Sequence, residues 1–422
     1  MKKLPYSVVS VITALSAFGA YTSMYAFRKA FSAATFEGQH YLHVDYKVWL
    51  VIFQVIGYTA SKFYGIRFIS GLDGSKRGKT ILMLVGISWL ALLFFALVPA
   101  PWNIVFLFVN GFPLGMIWGL VFGYLEGRRA TEFMAAVMSV SLIFASGFIK
   151  TIGRTLLGTY HVSEYWMPFL TGLLFVVPLL IFTGILESLP PPSAEDKALR
   201  SERKPMTAED RKDFVRSFLP GILLTLVIYI LLTVTRDVRD NFEVEIWNEL
   251  GIKDAHIYTI IDSLIAVVVL IALSLLILIK DNFKAFTVIH AMIIGGCILT
   301  GVSTLLFSLH YIGSITWMSL AGLGLYMAYI PYNAIFFERM IATYHCKGNV
   351  GFIMYIADAA GYLGSISVLL FKEFGSSTNV SWSHLFQDSL MCISVFGSIA
   401  AICSLAFFVQ KKQQHTIQIF PV

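Results

Sequence analysis

From Tyr6 to Val409 apolar runs of about 20 residues follow one another, parted by short polar breaks, and this repetition restricts the possible folds more than any other feature. A run of that length crosses a bilayer as a helix, and runs recurring along a whole chain make a bundle of spans, not a single anchor. Transmembrane barrels are built from shorter, alternating strands, which are scarce here. With 57% hydrophobic and 13% charged residues among 422, a water-soluble globule would expose large apolar patches. The expected fold class is an all-α polytopic membrane protein. Hydropathy places about twelve transmembrane helices, near 6 to 36, 46 to 69, 79 to 99, 102 to 125, 132 to 156, 165 to 187, 217 to 240, 255 to 279, 284 to 308, 312 to 337, 349 to 372 and 385 to 409. Lys2 and Lys3 ahead of "SAFGA" resemble a secretory signal, but the apolar run continues past that point and is read as the first span.

The strongly polar insert "LPPPSAEDKALRSERKPMTAEDRKDFVR", Leu189 to Arg216, divides the chain. It separates an N-terminal six-helix half, residues 1–188, from a C-terminal six-helix half, residues 217–422, with a cytoplasmic linker over 189–216. Basic residues gather at Lys76, Arg77 and Lys79, at Arg128 and Arg129, in the linker, at Lys280 and Lys284, and at Lys411 and Lys412. These are alternate connections, so the positive-inside rule puts both termini in the cytoplasm. The net charge of +6 and pI near 9.0 are then loop charge, and no nucleic-acid partner is expected. Cys297, Cys346, Cys392 and Cys403 lack the spacing of a zinc site or a disulfide framework, so neither metal nor cofactor is expected.

Charged residues inside spans are the informative ones, because each costs about 2.5 to 3.5 kcal/mol at mid-membrane on insertion scales unless it faces a cavity or a partner. The first half offers only bases: Arg28 and Lys29 on helix one, Lys62 on helix two, and Lys150 with Arg154 on helix five. No acid lies at comparable depth there, which points to a solvated cavity that receives an anion. Gln54 and Tyr58 stack above Lys62 at i,i+4 spacing as a polar stripe. The second half is mixed, with Arg236, Asp237, Arg239 and Asp240 on helix seven, Asp262 on helix eight and Asp358 on helix eleven, beside Tyr258, Tyr355 and Tyr362. Asp240, one turn beyond Arg236, is placed to hold it as an i,i+4 pair. Helices one and seven also repeat a stripe: Tyr21, Tyr25, Arg28 and Ser32 recur as Tyr229, Thr233, Arg236 and Asp240. Duplicated halves place a site between them near the midplane, and one Arg from each would grip the same anion.

"GYTASKFYGIRFISGLDGSKRGK", Gly57 to Lys79, resembles the helix-two-to-three signature of the major facilitator superfamily, with Asp73, Arg77 and Lys79 as its gating loop. "YAFRKAF", "GYTASKF", "NGFPLGMIWGLVFGYLEGR" and "GYLGS" are similar to segments of the organophosphate:phosphate antiporters, the glycerol-3-phosphate and hexose-phosphate transporters. The resemblance implies a rocker-switch transporter of a bacterial inner membrane in which an Arg on helix one and an Arg on helix seven hold a phosphate group. Arg28 matches the first, and Lys62, Tyr21 and Tyr25 match pocket positions. Arg236 is the second by the duplicated stripe, with Arg239 the alternative. The family's helix-five histidine has no counterpart near Leu142 and Ile143, where the chain is apolar.

The expected function is secondary transport of an organic anion, a phosphorylated metabolite first among candidates, by a monomer in the bilayer. Arg28, Arg236, Lys62, Tyr21, Tyr25, Tyr58, Arg239, Lys150, Arg154, Tyr229 and Tyr355 are the substrate-binding candidates. Exchange for a counter-anion needs no titrating carboxylate, whereas coupling to a proton would use Asp262, Asp358 or Asp240. The alternative is a transporter-like sensor of an anionic metabolite. A membrane acyltransferase built on "HYLHVD", His40 to Asp45, is disfavoured, and no enzyme activity is expected, since the pair falls in a short connection without a second phosphate-binding motif.

Overall fold

A computed structural model describes residues 5–70, 76–192, 196, 208–344, 350–375 and 380–419. Its helical spans are α1 Tyr6–Lys29, α2 Tyr46–Ser70, α3 Arg77–Leu97, α4 Trp102–Leu125, α5 Thr131–Gly158, α6 Met167–Ser188, α7 Ala208–Glu249, α8 Ile257–Ile277, α9 Asn282–Ser308, α10 Ser314–Tyr344, α11 Val350–Phe374 and α12 Trp382–Gln414. Among the described residues, all but α2 and α11 contain a stretch long and apolar enough to cross a membrane by length and composition. Helices satisfy every interior backbone group internally, which is the condition for standing in hydrocarbon. Their outward faces are apolar: along α8, Ile260, Leu264, Val267, Ile271 and Leu275 recur at helical spacing and are all exposed. Such a stripe is stable against lipid and not against water. The chain is an integral membrane protein.

Two helix ends differ from the hydropathy spans. Helix α1 stops at Lys29 and continues only as a 3-10 turn, Ala30–Ala33, although the apolar sequence runs on. Helix α7 continues past residue 240 to Glu249, with a break in its dihedrals at Phe242 (φ −119°, ψ 18°), because its last turns are polar but packed. A two-residue hairpin, β1 His40–Tyr41 with β2 Val44–Asp45, connects α1 to α2.

The chain gathers into two compact units. The first comprises Met1–Arg200, Val238–Leu270 and Ile366–Ser383; the second comprises Ser201–Asp237, Ile271–Ser365 and His384–Val422. In the first unit α1 packs on α5 and α6, and α4 on α2 and α3. Asn110 of α4, wholly buried, ties four helices together. Its Nδ2 donates to the carbonyls of Phe27 (2.9 Å) and Ser88 (3.0 Å), and its Oδ1 accepts from Gln54 Nε2 (2.8 Å). Gln54 Nε2 also donates to the Arg28 carbonyl at 2.6 Å, so the last turn of α1 is clamped from α2 and α4. At the other end of the same helices Arg77 donates to the Gly123 carbonyl (2.8 Å), and Glu187 accepts from the Gly78 amide (2.6 Å) and from the Tyr124 hydroxyl. In the second unit α9 packs on α10, and Pro331 is followed by a π-helical turn, Tyr332–Phe336, that re-aims the rest of α10.

Helices α2 and α4 meet backbone to backbone at a reciprocal pair of glycines: a side chain at Gly57 would strike the Phe108 carbonyl, and one at Gly111 would strike the Gln54 carbonyl. Small residues allow such close approach between helices in lipid. Gly111→Val is expected to lower the unfolding temperature of detergent-purified protein by the equivalent of about 1–3 kcal/mol of overpacking. Gly86→Ala on α3, where nothing lies within 4 Å, is expected to leave it unchanged or slightly raised.

Candidate functional site

The end of α1 presents its bases against aromatic faces. The Arg28 guanidinium carbon lies 3.8 Å from the ring centre of Tyr58 and 5.7 Å from that of Tyr25, and Lys62 Nζ lies 5.1 Å from the same Tyr58 ring. Tyr21 stacks one turn back on Tyr25, with ring centres 5.9 Å apart. Five residues that the sequence singled out for substrate therefore form one cluster, carried by α1 and α2. Arg28 is 7% exposed although it stands in the last turn of its helix, so it does not reach a rim. The negative end of the α1 dipole and the clamped carbonyls favour a cation there. A desolvated cation over an aromatic face gains about 2 kcal/mol or more.

The neighbouring lysines have protein partners that the sequence did not indicate. Lys29 Nζ lies 2.9 Å from Asp240 Oδ2 and donates to Asn241 Oδ1 at 2.6 Å. Lys150 Nζ lies 2.8 Å from Glu243 Oε2 and 3.6 Å from Asp240 Oδ1, and donates to Ser146 at 2.7 Å. Ser146 donates in turn to Asp240. Arg239 Nη2 lies 2.7 Å from Asp262 Oδ1 and 3.2 Å from Glu243 Oε1. Lys47, at the first turn of α2, lies 2.6 Å from Glu245 Oε1 and donates to the Ser32 carbonyl at 2.9 Å. Four bases thus meet four acids, and Lys29, Lys47, Lys150, Arg239, Asp240, Glu243 and Asp262 are all buried. The expectation that the first half's cations lack acids is corrected for Lys29 and Lys150: the acids come from the end of α7, far away in sequence. Asp240 is likewise engaged with Lys29, not with Arg236.

In the second unit Arg236 turns to its neighbour Asp237, with Nη2 at 2.6 Å and Nε at 3.2 Å from Oδ1, and its Nη1 donates to the Tyr329 hydroxyl. The guanidinium sits 4.5 Å from the Tyr329 ring and 6.0 Å from the Tyr362 ring. Asp237 Oδ2 accepts from Ser365 at 2.7 Å. Tyr229 donates to Asp358 at 2.5 Å, and its hydroxyl is 3.3 Å from that of Tyr329. Arg236, Tyr229 and Asp358 therefore belong to one polar cluster.

Other candidates stand apart. Arg154 is half-buried one turn beyond Lys150, Arg77 joins α3 to α4 as described, and Lys79 is exposed. Asp73 and the side chain of Tyr355 lie outside the described residues. His40 and Asp45 are register partners of the hairpin, with 2.8 Å between Nδ1 and Oδ1, and the pair closes the turn. Burial, then the nearby Glu373 carboxylate, push the Asp45 carboxyl above its ordinary range, opposed by Lys372 and His40. A cleft of 390 Å³ opens in the first unit between the hairpin connection, Lys47, Phe242, Glu245 and Trp382. Phe242 and Trp382 stack face to face in its wall, ring centres 3.5 Å apart.

Glu243, Glu245, Lys47 and Ser146 are the participants that sequence inspection missed. The signal for them was present: "RDVRDNFEVEIWNEL" places Glu243 at i+4 from Arg239 and i+3 from Asp240. Hydropathy closed the span at 240 because these acids lower it. Lys47→Met alone is expected to destabilise the purified protein by about 3–5 kcal/mol, since it leaves the Glu245 carboxylate buried without its cation. The double change Lys47→Met with Glu245→Met is expected to recover most of that loss in the same thermal-unfolding measurement.

The architecture is shared with solved membrane transporters. A D-xylose-proton symporter superposes with a TM-score of 0.65 at 14% identity, over 95% of this chain and 97% of its own. The nucleoside transporter NupG gives 0.60 at 12% identity over 95% of this chain and 99% of that one. The POT family transporter PepTSo gives 0.60 at 15% identity over 98% and 99%. At such identities the likeness establishes the fold alone, the twelve-helix fold of the major facilitator superfamily. No curated protein matches the sequence. Over residues 30–411 the sequence matches the family of unknown function DUF5690, and the chain belongs to that family.

Proposed function

We propose that the chain is a secondary transporter of a small organic anion, with a phosphorylated metabolite as the leading substrate class. The observation that carries this reading is the Arg28, Tyr58, Lys62 cluster, in which a planar fork donor and a point-charge donor gather at one buried aromatic ring. A guanidinium fork matches the paired oxygens of phosphate or carboxylate, and an ammonium supplies mobile charge beside it. Further support comes from the fold, which is that of a proton symporter, a nucleoside transporter and a POT family transporter. The likeness of "YAFRKAF" and "GYTASKF" to the organophosphate:phosphate antiporters favours a phosphate group. Arg236, held over Tyr329 and by Asp237, offers the second unit's guanidinium for an anion. An arriving anion competes with Asp237 for that guanidinium, so binding changes the hydrogen bonds of α7. Binding that favours one of two conformations shifts their equilibrium, which is how alternating access is driven. The positive-inside rule applied to the basic connections supports cytoplasmic termini, and the resemblance to the antiporters supports a bacterial inner membrane.

The test is a thermal-shift screen of purified protein against phosphorylated sugars, glycerophosphodiesters, nucleotides and plain organic acids. A ligand held only by the folded state at 100 times its Kd adds about 2.7 kcal/mol of stability. The expected hits are phosphorylated compounds, with the shift lost in Arg28→Lys while the protein still inserts and folds. Arg28→Lys keeps the charge but removes the bidentate fork, so uptake of the hit into proteoliposomes should fall more than about tenfold. Undiminished uptake by Arg28→Lys overturns the assignment.

A further inference from the structure

We propose that Asp262 is a proton-binding residue whose protonation releases the contact between α5 and α8. Its place in coupling rests on the transport reading, but its chemistry does not. The four acids of the buried charge set are not equally supplied with cations. Asp240 has Lys29 at 2.9 Å, Lys150 at 3.6 Å and the Ser146 hydroxyl. Glu243 has Lys150 at 2.8 Å besides Arg239, and Glu245 has Lys47 at 2.6 Å. Asp262 reaches Arg239 through the same nitrogen, Nη2, that Glu243 approaches. Its second oxygen, Oδ2, is buried and accepts no hydrogen bond, as is true of Glu243 Oε1 and Glu245 Oε2, but those two acids each have a lysine at 2.6–2.8 Å and Asp262 has none so close.

Two carboxylates drawn to one guanidinium nitrogen in a desolvated place repel each other, and a proton on one relieves the repulsion. The groups facing Asp262 are Arg239 and Glu243 from α7 and Lys150 from α5. Once protonated, Asp262 no longer balances a cation, and Arg239 is left to Glu243.

The location gives that proton a mechanical effect. Helix α8 lies against α5 at Gly147, where an added Cβ would stand 2.7 Å from the Tyr258 carbonyl carbon and 2.8 Å from Asp262 Cβ. Thr259 Oγ1 bonds to Thr151 Oγ1 at 2.7 Å one turn away. The contact is backbone-close, and the Asp262 to Arg239 pair ties α8 to α7, whose Glu243 and Asp240 are held in turn by Lys150 and Ser146 of α5. Of the three coupling candidates, Asp240 is already balanced by two lysines and Asp358 is engaged by Tyr229.

The experiment needs no substrate. In protein whose four cysteines are replaced, nitroxides are attached at Tyr160→Cys and Lys253→Cys, both exposed positions beyond the α5 and α8 ends of the contact. Distances are measured in proteoliposomes by pulsed electron resonance while pH is lowered from about 8 to about 4. The expected result is a longer-distance population that grows on acidification, is present at every pH in Asp262→Asn, and appears with a displaced midpoint in Asp262→Glu. A parent protein silent to pH, an Asp262→Asn response equal to the parent's, or, should that variant not fold, an unmoved midpoint in Asp262→Glu, overturns the proposal. Because no anion is present, absent Arg28-dependent uptake leaves this result untouched, and a pH-silent protein that still takes up anion overturns the proton site alone.

Discussion

The arrangement of the first unit depends on the pairing of acids in the last turns of α7 with bases on α1, α2 and α5 and within α7 itself. A lone charge in hydrocarbon is expensive, and a buried pair recovers that cost only when both partners keep good geometry. The pairs at 2.6–2.9 Å for Lys29, Lys47, Lys150 and Arg239 meet that condition together. The break in α7 at Phe242 is part of the same solution. Glu243 and Glu245 are two residues apart, and positions so spaced face different ways on a regular helix. With the break, Glu243 meets Lys150 while Glu245 meets Lys47, and the Phe242 ring is turned onto Trp382.

The two arginines of the repeated stripe have reached different chemistry from the same backbone position. Arg28 lies on Tyr58 and Tyr25 with Lys62 alongside, and the polar clamp of Gln54 and Asn110 holds its backbone. Arg236 lies on Tyr329 and leans on an adjacent carboxylate. The duplication is thus kept in the placement of the two arginines, while the rings and side chains around each differ.

Much of the Arg28 cluster was legible because it is local. Tyr21, Tyr25 and Arg28 share one helix face by spacing alone, and Tyr58 and Lys62 share another, so helical periodicity reports them directly. The ion pairs were not legible for the opposite reason. Lys29 reaches Asp240 and, 212 residues away, hydrogen-bonds the adjoining Asn241, and Lys150 and Glu243 are separated by 93. Nothing in a one-dimensional pattern says which of several acids will stop beside which base. Hydropathy also hid them, since it ends a span where charges begin, and in α7 those charges are the packed ones. For α1 the error ran the other way: an apolar sequence continued beyond the helix, and only tertiary packing put the 3-10 turn after Lys29.

The sequence by itself determined that this chain lives in lipid as a helical bundle, because transfer of apolar side chains is additive and needs no knowledge of neighbours. It also determined which residues share a helix face. The tertiary structure decided which charges are neutral in pairs and which are offered to aromatic rings, because Coulomb energy in a low-dielectric interior changes by several kcal/mol over a few ångströms. Distances of that size are fixed only when separate helices have packed.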